Sequence, residues 1–234
     1  MAVQLWRIAS WHTQEGICYN KDKFAELGLE PPRTYLDLAN EKLAGRISIP
    51  DISSGGGLAG LGAMAYAAGG DETNVDPGLE LIRKLDALKF WSAGGEVVTQ
   101  FQSGDVYAAV MHTGWCVRTL NAGVNVGAVH PRINDEHTGV HKYGWLVVMK
   151  NSENVEAVHW FLNEYLDPDY QFEFATSRGV VPVNKTAIER MKDDPVLVEM
   201  VQLDPNDIAR QLRLDYSKAD ISNWIDRWNR SVSQ

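Results

Sequence analysis

No stretch of the chain approaches the roughly eighteen uninterrupted apolar residues of a membrane-spanning helix. The opening residues MAVQLWRIASWHTQEG lack the basic start, apolar middle and small-residue cleavage site of a secretion signal. Basic residues are in deficit: 22 Lys and Arg against 31 Asp and Glu give a formal charge of -9. Nucleic acid and anionic membrane faces are poor partners for such a surface, so no nucleic-acid partner is expected. Cysteine is scarce. Cys18 and Cys116 lie far apart without CxxC spacing, which argues against a metal knuckle and leaves two readings open, a disulfide or two buried thiols.

Catalytic signatures are missing as well. The chain has no GxxxxGK[ST] phosphate loop, no GxSxG and no HExxH. His137 and His141 stand four apart in HTGVH, but Gly139 and the polar neighbours read as a loop, where that spacing fixes no shared face. Cys116 and His112 are also four apart, across a strand-to-helix turn that does not fix a thiol–imidazole contact. A non-catalytic protein without cofactor or metal is expected. There is no internal repeat and no low-complexity linker.

What the chain does contain is an alternation of apolar strands and amphipathic helices. GICYN reads as a strand, and KDKFAELGLEPP as a helical turn closed by Gly28. Thr34 caps a helix to about Leu43, and GRISIPD gives a strand with Ile47 and Ile49 on one face. GLAGLGAMAYAAGG reads as a small-residue helix. Asp76 with Pro77 starts another, with the stripe Leu81, Ile82, Leu85 and Leu88. VYAAVMH, GWCVRTLNAG and VNVGAVHP continue as strand, helix, strand. Residues 16 to 130 therefore read as one α/β unit with helices on either side of a sheet.

Beyond it, HPRINDEHTGVHK reads as a loop and YGWLVVMK as one further strand. The rest is helical. Ser152 starts a helix with Val155, Val158, Leu162 and Tyr165 on one face, Pro168 starts the next, and RGVVPVN breaks the run. The last helix carries Ile221, Trp224, Ile225 and Trp228. A lone strand cannot make a sheet, so its partners must come from the N-terminal residues, from another chain or from something absent.

The order of these signals resembles the extracytoplasmic solute-binding proteins of ABC importers, in the two-lobed branch that includes polyamine- and iron-binding receptors. The segments that carry the resemblance run from about residue 6 to 190: GICYNKDKFAELGLEPPRTYLDLANEKLAGRISIPD, QSGDVYAAVMHTGW, VHPR, YGWLVVMKNSENVEAVHWFLNEYLDPDYQFEFA and SRGVVPVNKTA. The resemblance implies a periplasmic-binding-protein-like α/β fold of two lobes. Residues 14–130 would form the second lobe, with LWRIASWH and AVHPR as crossings. Residues 1–13 and 131–234 would form a crossing plus a partial, mainly helical first lobe, the family's opening strands being absent. It also implies a periplasmic or extracytoplasmic location, a small-molecule solute and a membrane permease as partners, and hinge closure on the solute. Exchange between chains, a homodimer completing the partial lobe, is the structural alternative; a free-standing α/β module serving protein association is the functional one.

The run SSGGG can place a helix N-terminus against a ligand, with Ser53 and Ser54 adding hydroxyls and Gly55 and Gly56 letting the ligand approach; the bland reading is a tight turn and close helix packing. By resemblance, aromatics at crossings and lobe edges line the cleft, which names Trp11, Trp115 and Trp145 or Tyr143. Trp115 stands at a strand end in MHTGWC, beside Thr113, where open α/β sheets bind ligands. His12 and His112 fall at strand ends too. Polyamine receptors of this branch place carboxylates where this chain has Ile52, Gly55 and Gly144, and the tyrosine pair of iron-binding relatives is missing. A small polar or anionic organic solute is the remaining expectation.

Overall fold

The computed structural model describes residues 7–232 and builds its sheet around one long strand. The elements run β1 (Arg7–Asn20), α1 (Lys21–Glu26), β2 (Ile47–Pro50), α2 (Gly57–Ala67), α3 (Asp76–Lys84), β3 (Lys89–Trp91), α4 (Gly94–Gln102), β4 (Ala108–His112), α5 (Thr113–Asn121), β5 (Val126–Val129) and β6 (Val140–Val147). They continue with α6 (Val155–Tyr165), α7 (Pro168–Arg178), β7 (Val181–Pro182), α8 (Lys185–Met191), α9 (Pro195–Met200), α10 (Pro205–Ala209) and α11 (Ile221–Ser231). The sheet order is β3-β2-β4-β1-β5, with β6 and β7 also paired to β1.

β2 runs parallel to β3 and β4, and β1 is antiparallel to all four of its partners. Glu15 pairs with both His112 of β4 and Val140 of β6, so those strands lie on opposite edges of β1. Trp11 and His12 likewise pair with β6 on one edge and β7 on the other. The segment expected as a crossing and the strand GICYN are thus one continuous strand, whose first half holds β6 and β7 and whose second half holds β4 and β5. The register shifts at Ser10, between Ala9 and Trp11. Gln171, fully buried on α7, supports that bulge by donating to the Ser10 carbonyl at 3.4 Å while accepting from the Val183 N–H at 3.0 Å.

Alternation along the central strands sends side chains into two cores. Ile17, Ala108 and Val110 face one, with Leu61 and Met64 of α2, Leu79 and Ile82 of α3 and Trp224 and Trp228 of α11. Cys18, Ala109 and Met111 face the other, with Val97 and Phe101 of α4, Val117 of α5, Ala175 of α7 and Leu197 of α9. The result is an α/β sheet covered on both faces. In the helical tail, Asp167, Asp194 and Asp204 cap α7, α9 and α10 with a proline directly behind each, so three helix starts share one chemistry.

Several expectations need correction. The expected helix from Thr34 to Leu43 is two 3₁₀ turns, Tyr35–Ala39 and Glu41–Leu43, because the Asn40 backbone is extended and its side chain caps the second turn. α3 ends at Lys84, so Leu88 leaves the stripe and is 47% exposed. Asp76 is the first helical residue of α3, behind Val75 at the cap position. β6 starts at Val140, which puts His141 in a strand and not in the loop. The helix expected from Ser152 starts at Val155, which is exposed. The lone strand finds its partner in the N-terminal residues, in β1.

Cys18 of β1 and Cys116 of α5 form a disulfide across 98 residues, with their Cα atoms 5.5 Å apart. A cross-link spanning a loop of this length stabilises chiefly by restricting the unfolded chain. Reduction, or replacement of both cysteines by alanine, is expected to lower unfolding free energy in denaturant titrations by about 4 kcal/mol. An unchanged midpoint after reduction would contradict the pairing.

Candidate functional site

The three strand ends of β2, β3 and β4 point to one edge of the sheet, as parallel strands require, and the turn from β2 into α2 lies there. Ser53 of that turn gives both its N–H and its hydroxyl to Asp51 Oδ1, at 2.9 and 2.5 Å. Ser54 Oγ accepts the Gly56 N–H at 3.3 Å. Neither hydroxyl is a free group waiting for a ligand; they shape the turn.

The three glycines have different reasons. A Cβ on Gly57 would sit 2.2 Å from the Asp51 carbonyl oxygen, and one on Gly56 would sit 2.7 Å from Glu15 Oε1 and 3.1 Å from the Trp91 ring. Both are required by close packing. Gly55 has nothing within 4 Å of its Cβ position, is exposed, and has no positive φ. Its bareness has no cause inside the protein.

Beneath this turn lies a charge cluster that sequence reasoning missed. Glu15 is fully buried at mid-strand in β1; its Oε2 is 3.1 Å from His112 Nδ1 and 3.3 Å from Lys142 Nζ. The Lys142 ammonium also donates to the Gly55 carbonyl at 2.6 Å, tying β6 to the α2 turn. Glu15 Oε1 has no partner. Burial by itself raises the Glu15 carboxyl, but Lys142 and His112 outweigh it and hold the group below its ordinary value, so it is ionised at neutral pH. The signal available in the sequence was a lone Glu in the otherwise uncharged run WHTQEGICYN, where burial demands a cationic partner.

The β1–β6 ladder separates the expected cleft residues. Directly opposed residues share a face. Trp11 lies over Gly144, and Thr13 opposes Lys142 and bonds Thr113 Oγ1 at 3.0 Å, so the buried Thr113 hydroxyl is engaged within the protein. His12 opposes Tyr143 on the other face. There its ring stacks on His141 at 5.1 Å, Tyr143 lies 4.0 Å from His141 and 5.7 Å from Trp145, and Arg213 Nε donates to the Tyr143 hydroxyl at 3.0 Å. Trp11, Thr113, Gly55 and Gly56 are therefore on one side of the ladder, and His12, Tyr143 and Trp145 on the other. Trp115, on the first turn of α5, seats its indole over Gly94 with the Arg118 guanidinium 4.0 Å from the ring centroid. Open grooves are found elsewhere: one of about 490 Å³ is lined by Leu29, Pro31, Arg33 and Leu36, and one of about 510 Å³ by His130, Glu199, Gln202 and Asp207.

Among the described residues no group of His, Cys, Asp and Glu is arranged to hold a metal, and no helix is long and apolar enough to cross a membrane. The chain belongs to the bacterial extracellular solute-binding protein family, whose profile matches residues 8–205. Solved structures show the same fold. An ABC transporter protein from Clostridium perfringens ATCC 13124 superposes with a TM-score of 0.71 at 23% identity, over 95% of this chain and 68% of that one. The periplasmic binding protein AfuA from Actinobacillus pleuropneumoniae, with fructose-6-phosphate bound, gives 0.71 at 18%, over 97% and 68%. MotA from A. tumefaciens B6, in complex with glucopine, gives 0.69 at 20%, over 94% and 69%. No curated protein sequence matches the chain.

Two consequences are measurable. Gly56→Ala forces a methyl group onto Glu15 and Trp91 and is expected to destabilise the fold by about 2 kcal/mol, whereas Gly55→Ala should leave the melting temperature unchanged. Equal melting of the two variants would refute the packing assignment. The second concerns pH. Burial lowers both His12 and His130 to about 4, with His141 and Arg213 adding to the shift at His12. Their folded values lie below the ordinary 6.5, so the unfolded chain takes up these protons first. Stability should be full above about pH 6.5 and fall as pH drops toward 4, by roughly 2 kcal/mol or more, with Glu15 adding its loss below its own ordinary value. Thermal melts from pH 7.5 to 4.5 check this; a flat profile would remove both histidines from the neutral, buried class.

Proposed function

We propose that the protein is the extracytoplasmic solute-binding component of an ABC importer, holding a small polar or anionic organic solute at the strand-end mouth of residues 14–130. The match of residues 8–205 to the solute-binding family carries this reading. The disulfide supports a location outside the reducing cytoplasm. Three neighbours whose names print a ligand, fructose-6-phosphate for AfuA, glucopine for MotA and GABA for the Atu4243 receptor, support a compact, strongly polar solute class. Binding, not catalysis, is the activity. In this reading residues 14–130 act as one lobe, residues 1–13 and 131–234 as a crossing and a partial second body, and a membrane permease reads the closed form through contacts that only closure makes.

Gly55, Gly56 and Trp115 form the proposed mouth, with Ser53, Ser54 and Thr113 shaping it through their bonds within the protein; Trp11 flanks it, and His12, Tyr143 and Trp145 lie across the ladder on the second body's side. A panel of sugar phosphates, amino acids and short carboxylic acids tests the reading by melting shift and calorimetry. A compound that raises the melting temperature by several degrees is expected, and Trp115→Ala should weaken it. No shift across the panel counts against solute binding, and unchanged affinity in Trp115→Ala removes that residue from the mouth.

One observation favours a second reading, protein association. Tyr143, Trp145 and Val147 on β6, Met149 after it and Trp160 and Phe161 on α6 are all exposed, Met149 to 73% and Trp160 to 67%. An apolar face of this kind serves contact with polypeptide, from a second copy or another chain, better than contact with water. A dimeric mass in solution together with an unresponsive solute panel would select this reading.

A further inference from the structure

β6 is held to the sheet along one edge only. It pairs with β1 from Val140 to Val147, while the His141 N–H points the other way and donates to the Leu212 carbonyl at 2.8 Å. The Leu212 N–H donates to the Gly139 carbonyl at 2.9 Å, so Gly139 and His141 both face away from β1. Strand alternation gives Tyr143, Trp145 and Val147 the same outward orientation, because the bulge at Ser10 lies in β1 and leaves the parity of β6 intact. Among the described residues no backbone group pairs with these three on that edge. Sheet edges are usually blunted by lysine, proline, a bulge or a very short strand. Residues 143–147, YGWLV, carry no charge and no proline within an eight-residue strand, and Tyr143, Trp145 and Val147 are 45–49% exposed. Two of these side chains are already oriented: Arg213 Nε donates to the Tyr143 hydroxyl at 3.0 Å, and the Arg7 guanidinium lies 4.7 Å from the Trp145 ring centroid. A partner strand therefore has little rotamer freedom left to remove.

We propose that this edge pairs with the same edge of a second copy, β6 against β6, antiparallel about a two-fold axis at Trp145. The edge is its own complement. An axis at Trp145 sets the two Trp145 residues opposite each other and Tyr143 opposite Val147 of the partner subunit, so all three outward residues exchange both of their N–H···O bonds. Moving the axis to Gly144 brings Val147 against His141 of the partner subunit, whose N–H is already given to Leu212, and moving it to Leu146 carries Tyr143 past the end of the strand. The apolar side chains meet as cross-strand pairs, Trp with Trp and Tyr with Val. Because each copy spends this edge on the other, growth along it stops at two. The exposed parts of Tyr143, Trp145, Val147 and Met149 with the ladder's main chain amount to roughly 1,000 Å² for two copies, the size of a weak, concentration-dependent interface. A net charge of -9 on each copy works against tighter association. The assignment rests on the association reading of this face, commits it to one occupant, and is independent of solute binding at the strand ends.

The test uses the full chain, whose two cysteines are joined to each other and leave no free thiol. Light scattering from micromolar to submillimolar concentration should show the mass rise from one chain toward two. Trp145→Lys, which sets two ammonium groups opposite each other across the axis, should hold the mass at one chain at every concentration. Cross-linking reads the register. Trp145→Cys should give a covalent dimer with a short bis-thiol reagent, since the paired Cα atoms stand about 5.5 Å apart in such a ladder. Tyr143→Cys should cross-link only when mixed with Val147→Cys, and Leu88→Cys, exposed elsewhere, should stay single. A single-chain mass throughout, a dimer that survives Trp145→Lys, or equal cross-linking through Leu88→Cys overturns the pairing. A labelled peptide of residues 140–148, VHKYGWLVV, separates this from the association reading itself. Capture of the peptide by a protein that stays monomeric, lost in Trp145→Lys, overturns the second copy and keeps polypeptide pairing at this edge; neither dimer nor capture overturns both.

Discussion

The backbone of β1 is shared among four other strands, and nearly every feature that positions the site follows from that sharing. Its second half is hydrogen-bonded on both edges, to β4 and β5, and its first half to β6 and β7. Because β1 is paired on both edges at Trp11, His12, Glu15 and residues 17 to 19, it cannot shift register without breaking several ladders at once. Cys18 adds a covalent tie from the same strand to α5. β1 is therefore the fixed reference from which the α/β half and the β6 half are both hung.

Glu15 sits where those two halves meet. It is the residue of β1 that faces β4 on one edge and β6 on the other, and its carboxylate is held by a side chain from each, His112 and Lys142. An ion buried this deeply, with one partner removed, costs several kcal/mol, on the order of 3 to 5. That asymmetry couples the elements: β4, β6 and the α2 turn are each held in place by the need to keep one buried charge satisfied. The bond from Lys142 to the Gly55 carbonyl extends the coupling into the loop at the strand ends. Movement of β6 relative to β1 would be felt directly at the start of α2, through the Lys142–Gly55 bond.

Much of this was legible in the residue pattern. The strands around Ile47, Ala108 and Val126, the small-residue helix α2, the proline-marked start of α7 and the αL glycines Gly28 and Gly123 follow from period, caps and turn chemistry, which are local. β3 and β7, at three and two residues, carry too little pattern to register as strands, and the Thr34 helix gave way to 3₁₀ turns at Asn40. The site was less legible. SSGGG marked the β2–α2 turn, but Glu15 and Lys142 lie 127 positions apart in sequence and meet only because β6 folds back along β1. No local period encodes that pairing. The two cysteines likewise left their pairing open until β1 and α5 were set side by side.

Strand parity has the last word on which residues can act together. In the β1–β6 ladder, Trp11, Thr13 and Glu15 look one way with Lys142, and His12 and Gln14 look the other way with His141 and Tyr143. The first set carries the buried ion pair and borders the β2–α2 turn. The second set is a nearly neutral, stacked and hydrogen-bonded layer: Gln14 bonds both His130 and Gln202, and Gln202 bonds Gln211, which bonds His141. Burial keeps His12, His130 and His141 below their ordinary pKa, so the histidines of this layer are neutral, and the Arg213 guanidinium on the Tyr143 hydroxyl is a cation of that face. A one-residue slip of β6 would exchange the two sets, burying Tyr143 against Glu15 and exposing Lys142 on the wrong face. The bulge at Ser10, with Gln171 bonded to its carbonyl, confines the irregularity to the start of the ladder and leaves residues 11 to 15 in unbroken register. The ion pair that joins β1 to β6 thus depends on a glutamine in a helix that takes no part in that pair.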